Sequence, residues 1–425
     1  MDEMAQTLSS QAPHTLTADS WLLFATRCAR LFAYGLLSVV LILCLAAKGL
    51  NEGQIGLLLT LTMLGDTAIS LWLATTADRL GRRRMLMAGG LLMVFAAALF
   101  AGTDNFWLLL VAATIGVISP SGNEVGPFLP IEQAALSQTL PDQRRTTVFA
   151  WYNLVGSVAT ALGALCGGVL TQLLQHAGFT GANVYRPLLI VYGAIGLLLV
   201  LMFALLSPAT EVRQTDLRST GPTSPKPALG LHRSRRVVLR LSALFALDAF
   251  GGGFVIQSIV AYWFHVRFGV EPGVLGGIFF GANLLAGFSA LAAGWLAKRF
   301  GLVNTMVFSH LPSNVLLILV PFMPSLPWAV AVLLLRFSIS QMDVPARQSY
   351  TMAVVSPDER SAASGVTGVA RSLGAAVSPS LAGLCLGNPA LLGMPFILAG
   401  GVKIVYDLLL YRSFVAHRPP EEAHR

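Results

Sequence analysis

Ionisable side chains stand inside long apolar stretches of this sequence. In the first half of the chain they are Asp66, Glu124 and Glu132; in the second they are Asp248, Arg336, Asp343, Arg347, Arg371, Lys403 and Asp407. A charge within a bilayer costs a few kcal/mol or more, so each group is a candidate for handling a proton, an ion or a substrate. Glu124 and Glu132 belong to a stretch that also holds Pro120, Gly122, Gly126, Pro127 and Pro130. Those residues must break or kink a helix. A broken helix survives in a membrane where its freed backbone groups face protein or a wet cavity. Glu124, at the break, is placed to take a proton or touch a substrate, and Glu132 either shares that role or closes a gate through an ion pair. Arg336, Asp343 and Arg347, spaced by seven and four, read as one helical face. Two arrangements fit them: an in-helix Asp343–Arg347 pair, or a face that brings Arg347 to Glu132 across a cavity. Lys403 and Asp407 read as an intrahelical pair. Arg27 and Arg30, near the start of an apolar run, are expected to snorkel to the interface. Asp66 is expected to pair across the interface between the halves of the chain, with a partner the sequence does not name.

These groups need a scaffold, and composition names its class. The chain of 425 residues is 55% hydrophobic and 11% charged. Soluble domains carry about a quarter charged residues, so this is an integral membrane protein. Apolar runs of about 20 residues span the hydrocarbon core. Twelve are read, at 21–47, 54–77, 85–103, 106–139, 146–174, 186–207, 238–265, 272–297, 303–323, 327–355, 361–386 and 391–414. The organisation expected is a segment 1–20, a six-helix unit 21–207, a linker 208–237 rich in Pro, Ser, Thr and Arg, a second six-helix unit 238–414, and a tail 415–425. The outer loops, on this assignment, hold only Lys48, Arg186 and Arg267, while the other loops carry most of the basic residues. That asymmetry places both termini, the linker and the basic turns in the cytoplasm. The net charge of +8 then reflects loops beside a bilayer and not a nucleic-acid partner.

The halves repeat. Gly49, Gly56, Ala77, Arg79 and Gly81 recur as Gly269, Gly276, Ala297, Arg299 and Gly301, a constant offset of 220 positions. Pro130 and Gln133 recur as Pro345 and Gln348. Turn formers and packing glycines are the positions a shared backbone needs. Between the second and third runs lies Ala74-Thr75-Thr76-Ala77-Asp78-Arg79-Leu80-Gly81-Arg82-Arg83. It resembles the G-x-x-x-D-R-x-G-R-R loop of the major facilitator superfamily of transporters, departing only in Ala for the first Gly.

The resemblance implies an all-α membrane protein of twelve transmembrane helices in two pseudo-symmetric six-helix bundles, with helices 1, 4, 7 and 10 lining a central site. Carried over, the substrate-binding candidates are Tyr34, Asn123, Gln257, Arg336 and Arg347, completed by Tyr152, Asn153 and Arg371. Glu124, Asp343, Asp248 and Glu132 become proton-coupling candidates. Asp78, Arg79, Gly81, Arg82, Arg83 and Arg299 become a cytoplasmic gate. The implied activity is alternating access driven by the proton gradient, exporting a small amphipathic organic compound from a monomer in the plasma or inner membrane. Drug exporters of this family carry an Arg in helix 4 and G-P-x-x-G-G in helix 5. Here helix 4 has no Arg, and Gly163-Ala164-Leu165-Cys166-Gly167-Gly168 has Ala for Pro. An anionic metabolite held by Arg336, Arg347 and Arg371 is the alternative substrate, and a membrane sensor or enzyme the alternative class. Seven histidines and four cysteines show no metal-ligand spacing. No cofactor is expected, and without a phosphate-binding Gly-rich loop neither is ATP hydrolysis.

Overall fold

The computed structural model describes residues 17–139, 142–211, 231–356 and 359–415, without the side chains of 138, 139, 142–147, 298 and 361. Most of the expected N-terminal segment, of the linker and of the tail lies outside the described residues, as do the side chains of Arg144, Arg145 and Lys298. The described chain is helical, and its twelve spans follow the twelve apolar runs. Span 2 is Glu52–Leu80, span 3 Arg82–Gly102, span 5 Asp142–His176 and span 6 Arg186–Ala204. Span 8 is Pro272–Phe300, span 9 Leu302–Leu319, span 11 Arg360–Leu386 and span 12 Met394–Phe414.

The other four are interrupted near their middles. Span 1 is Ala18–Ser38 and Leu41–Ala47, bent by 46°. Span 4 is Phe106–Ile115 and Phe128–Thr139, span 7 is Arg235–Gly253 and Gln257–Phe268, and span 10 is Leu326–Phe337 and Asp343–Ala353. The sequence cause is plain in spans 4 and 7. Gly122 and Gly126 take φ of +71° and +80°, which a residue with a Cβ rarely adopts, and span 7 parts after three successive glycines. In span 10 the interruption comes before Pro345. That proline sits in the first turn of the second piece, where it lacks no needed hydrogen bond.

Backbone groups freed by these breaks are satisfied inside the protein, as the absence of water in hydrocarbon requires. Tyr192 donates its hydroxyl to the carbonyl of Val117 at 2.7 Å, and Tyr34 donates to that of Val125 at 3.2 Å. The amide of Ser258 donates to the carbonyl of Pro120 across the two halves at 3.1 Å.

The halves meet on the side away from the Asp78 turn. Gln257 donates to Ser38 at 2.7 Å, Tyr262 to Glu52 at 2.9 Å and Ser380 to Thr60 at 2.8 Å, and Gln172 donates to Glu271. Span 5 packs on span 8 and span 2 on span 11 through glycines. A Cβ on Gly168 would sit 2.2 Å from the carbonyl oxygen of Pro272, and one on Gly383 2.3 Å from that of Glu52. On the Asp78 side the halves stand apart. Asp78 of span 2 accepts from Arg82 of span 3 across the Gly81 turn at 2.9 Å, and Glu211 accepts the amides of Arg82 and Arg83 at 2.7 and 3.1 Å. Gly81 has φ +100°. Arg79, Arg83 and Arg299 are exposed. Among the described residues no hydrogen bond or ion pair joins the Asp78 turn to its counterpart at Arg299.

Because both glycines lie in backbone-to-backbone contact, Gly383→Val is expected to push the halves apart on that face. Spin labels at Ala177 and Asn388 would report a longer distance in the variant; an unchanged distribution would contradict the packing. A second expectation concerns Glu359, at the start of span 11. Burial opposes its ionisation, but donation from the amides of His232, Arg233 and Ser234, the last two at 2.8 Å, outweighs this and holds it down at about 2. A carboxylate lowered from about 4.3 in the unfolded chain stabilises the fold above that value and loses the effect as pH falls toward the folded value. Thermal unfolding of Glu359→Gln should therefore trail the natural protein at neutral pH, with the gap narrowing between about pH 4 and about 2.

Candidate functional site

The interior charges form two clusters, one in each half. In the first, span 1 supplies Arg27 and Arg30, one turn apart, and span 4 supplies Glu124 and Glu132. Arg30 is fully buried. It grips Glu132 with two parallel bonds at 2.6 and 2.7 Å and donates its Nε to Glu124 at 2.8 Å. Arg27 donates to the other oxygen of Glu124 at 2.8 Å, to the carbonyl of Tyr152 at 2.9 Å and to Asn153 at 3.2 Å. Glu132 also accepts from Thr26 at 3.1 Å and from the Tyr152 hydroxyl. The guanidiniums stack on Tyr152 and Phe128, 4.3 and 4.5 Å from the ring centres. Arg27 and Arg30 thus do not snorkel. Two intramembrane carboxylates hold them inside, which is cheaper than leaving either acid without a counter-charge.

In the second cluster Asp248 of span 7 accepts from Lys403 at 2.6 Å and from Arg347 at 2.9 Å. Arg347 also lies 3.3 Å from Asp343, one turn before it. His310 of span 9 contacts Asp407 at 2.8 Å, and Asn314 donates to the other oxygen of Asp407 at 2.9 Å. Three sequence expectations change here. Arg347 does not reach Glu132, because each finds its partner within its own half. Lys403 and Asp407 do not pair with each other, since packing of spans 7, 9 and 12 offers closer partners. Arg336 does not share a face with Asp343, because residues Ser338–Met342 interrupt the helix between them. It lies over the Phe337 ring at 4.9 Å, with its buried Nε unpartnered.

Between the halves, on the Asp78 side of their contacts, is a cavity of about 460 Å³ lined by spans 2, 4, 7 and 11. Asp66 and Glu124 reach it from the first half and Arg371 from the second. Asp66 does not pair across the interface. Its carboxylate accepts the amide of Gly126 at 2.6 Å and the Ser70 hydroxyl at 3.2 Å, and it forms no ion pair among the described residues. The left-handed turn at Gly126 is what turns that amide toward Asp66. Of the remaining candidates, Tyr34 and Tyr152 are buried and Asn123 and Asn153 exposed. Gln257 lies at the contact between the halves and not in the cavity lining, donating to Ser38 and accepting from Asn283 at 3.0 Å. Sequence reasoning missed His310, Asn314 and Asn283; polar residues within apolar runs were the available signal.

Arg30→Met should destabilise the fold by about 3–5 kcal/mol, since it leaves the buried Glu132 without a counter-charge, while Glu124 keeps Arg27. Arg30→Met combined with Glu132→Gln should recover part of the loss. Denaturant titration in detergent measures both, and equal stability of the two variants would refute the coupling.

The model of the Major Facilitator Superfamily matches residues 23–379. The chain is 32% identical over 422 residues to the uncharacterized membrane protein YJR124C of Saccharomyces cerevisiae, covering 93% of this chain and 94% of that one. It is 23% identical over 355 residues to the quinolone resistance protein NorA of Staphylococcus aureus, 82% of this chain and 85% of NorA. Over a shorter stretch of 124 residues, 29% of each chain, it is 30% identical to a Na(+), Li(+), K(+)/H(+) antiporter of Planococcus maritimus. Its fold matches the crystal structure of a bacterial homologue of the human lysosomal transporter Spinster, with TM-score 0.70 at 17% identity over 94% of this chain and 97% of that one. Twelve spans, an internal repeat, a central cavity and a family match over most of the chain agree: this protein belongs to the Major Facilitator Superfamily and is a membrane transporter, not an enzyme.

Proposed function

We propose that the chain exports a small amphipathic organic compound in exchange for protons, by alternating access, with the Asp78 turn and both termini in the cytoplasm of a cell bounded by this membrane. The observation that carries the coupling is the unequal partnering of the acids. Both oxygens of Glu124 are held by guanidiniums, and Asp248 is held by Lys403 and Arg347. Of the two described carboxylates that line the cavity, Asp66 has no counter-ion among the described residues. An uncompensated charge in a membrane costs a few kcal/mol, and gaining a proton removes that cost. The titrating role assigned from sequence to Glu124 therefore moves to Asp66, with Glu124 and Glu132 as the clamp that holds span 1 to span 4. Likeness to an antiporter and to a resistance protein supports exchange and export. The anion alternative loses ground, because Arg347 is neutralised by Asp248 and Asp343 and only Arg371 among the three arginines lines the cavity.

In this scheme the turns at Asp78 and Arg299, apart in this structure, would approach when the cavity closes toward the cytoplasm. Proteoliposomes with an internal pH dye test the coupling. A transported amphipathic dye should drive proton movement through the natural protein. At saturating dye, Asp66→Asn should still exchange it while moving no protons. Proton movement that persists undiminished in Asp66→Asn would sink the assignment.

A further inference from the structure

We propose that the cavity selects a zwitterionic compound, with a cationic group set against Asp66 and an anionic group set against Arg371, separated by an apolar body. The inference rests on the transporter function and narrows its substrate class. It starts from the charge balance of the interior. Arg27 and Arg30 match Glu124 and Glu132, and Lys403 and Arg347 face Asp248 and Asp343. Two cavity-lining charges are left over, and they have opposite signs. Asp66, on span 2, receives only an amide and a hydroxyl. Arg371, on span 11, has a buried Nε with no hydrogen-bond partner, and it forms no ion pair among the described residues.

A guanidinium with an unpartnered Nε on a cavity wall is a ready receptor for a carboxylate, which it meets with parallel N–H donors. Asp66 on the other wall offers an acceptor to an ammonium group. Met63, Ile118, Val125 and Leu129 lie in the same lining and give an apolar body surface to bury. A single cation or a single anion would satisfy one wall and leave the other charge desolvated, which costs affinity for that ligand. The site thus discriminates by requiring both charges at once. Substrate ammonium and proton would also compete for the same carboxylate.

Binding to purified protein in detergent, with no gradient, tests this separately from coupling. Three compounds with one body serve as probes: 4-(aminomethyl)phenylacetate, 4-methylbenzylamine and 4-methylphenylacetate. The first should bind the natural protein about tenfold or more tightly than either of the others, the gain of one charge-assisted contact. Asp66→Asn should bring its affinity down to that of the phenylacetate lacking the ammonium, and Arg371→Gln to that of the amine lacking the carboxylate. Equal or absent binding of the three compounds to the natural protein overturns the proposal, whether or not either variant folds. So does an order of affinities that neither substitution alters. Loss of proton coupling in Asp66→Asn with no zwitterion preference would leave the transport mechanism standing and remove this selectivity.

Discussion

An ionised side chain in a low-dielectric interior is held most cheaply beside a counter-charge, and this protein pairs most of its interior charges within each half separately. Arg30 reaches Glu132 and Glu124, and Asp248 gathers Lys403 and Arg347. No ion pair among the described residues crosses between the halves. The consequence is mechanical. Breaking a buried ion pair costs about 3–5 kcal/mol, whereas giving up a hydrogen bond costs about 0.5–1.5 kcal/mol net. In the proposed alternating access, contacts that would part between the halves include ones of the second kind: Gln257 with Ser38, and Ser380 with Thr60. The charges hold each half together, and softer contacts join one half to the other.

The same logic explains where the helices break. Spans 1, 4, 7 and 10 are the interrupted ones, and their freed backbone groups take partners from neighbouring side chains. Asp66 owes its place to this. It accepts an amide that the Gly126 turn releases from the helical ladder. The break that makes the middle of span 4 polar therefore also builds part of the cavity wall. Paired arginines behind that wall keep Glu124 beside the cavity without leaving its charge uncompensated. The cavity's polarity is thus set by backbone interruption and by which charges were left out of the pairing.

Much of the architecture was legible along the chain. The apolar runs fall on the observed spans because hydrocarbon thickness fixes a length of about 20 residues, a local property. The break in span 4 was legible from Pro120, Gly122, Gly126 and Pro127, whose backbone limits do not depend on context. The interruption of span 10 carried a misleading signal, because Pro345 starts a helix there and the chain bends before it. Arg27 and Arg30 read as interfacial because a long basic side chain near the end of a run can reach water, and nothing local said that carboxylates awaited them inside.

Sequence alone settled the membrane character of the chain, its internal repeat and the identity of the costly polar groups, since each of these follows from composition, spacing or local stereochemistry; the family entered through the resemblance of the Asp78 loop. Tertiary structure decided which of those groups neutralise one another. Arg30 and Glu132 are 102 positions apart and Lys403 and Asp248 are 155 apart, so their pairing is a matter of how helices pack and not of any pattern along one helix. It decided, for the same reason, which charges remain unpaired. Asp66 and Arg371 stand out only once every other interior cavity-side charge has been matched through contacts between helices.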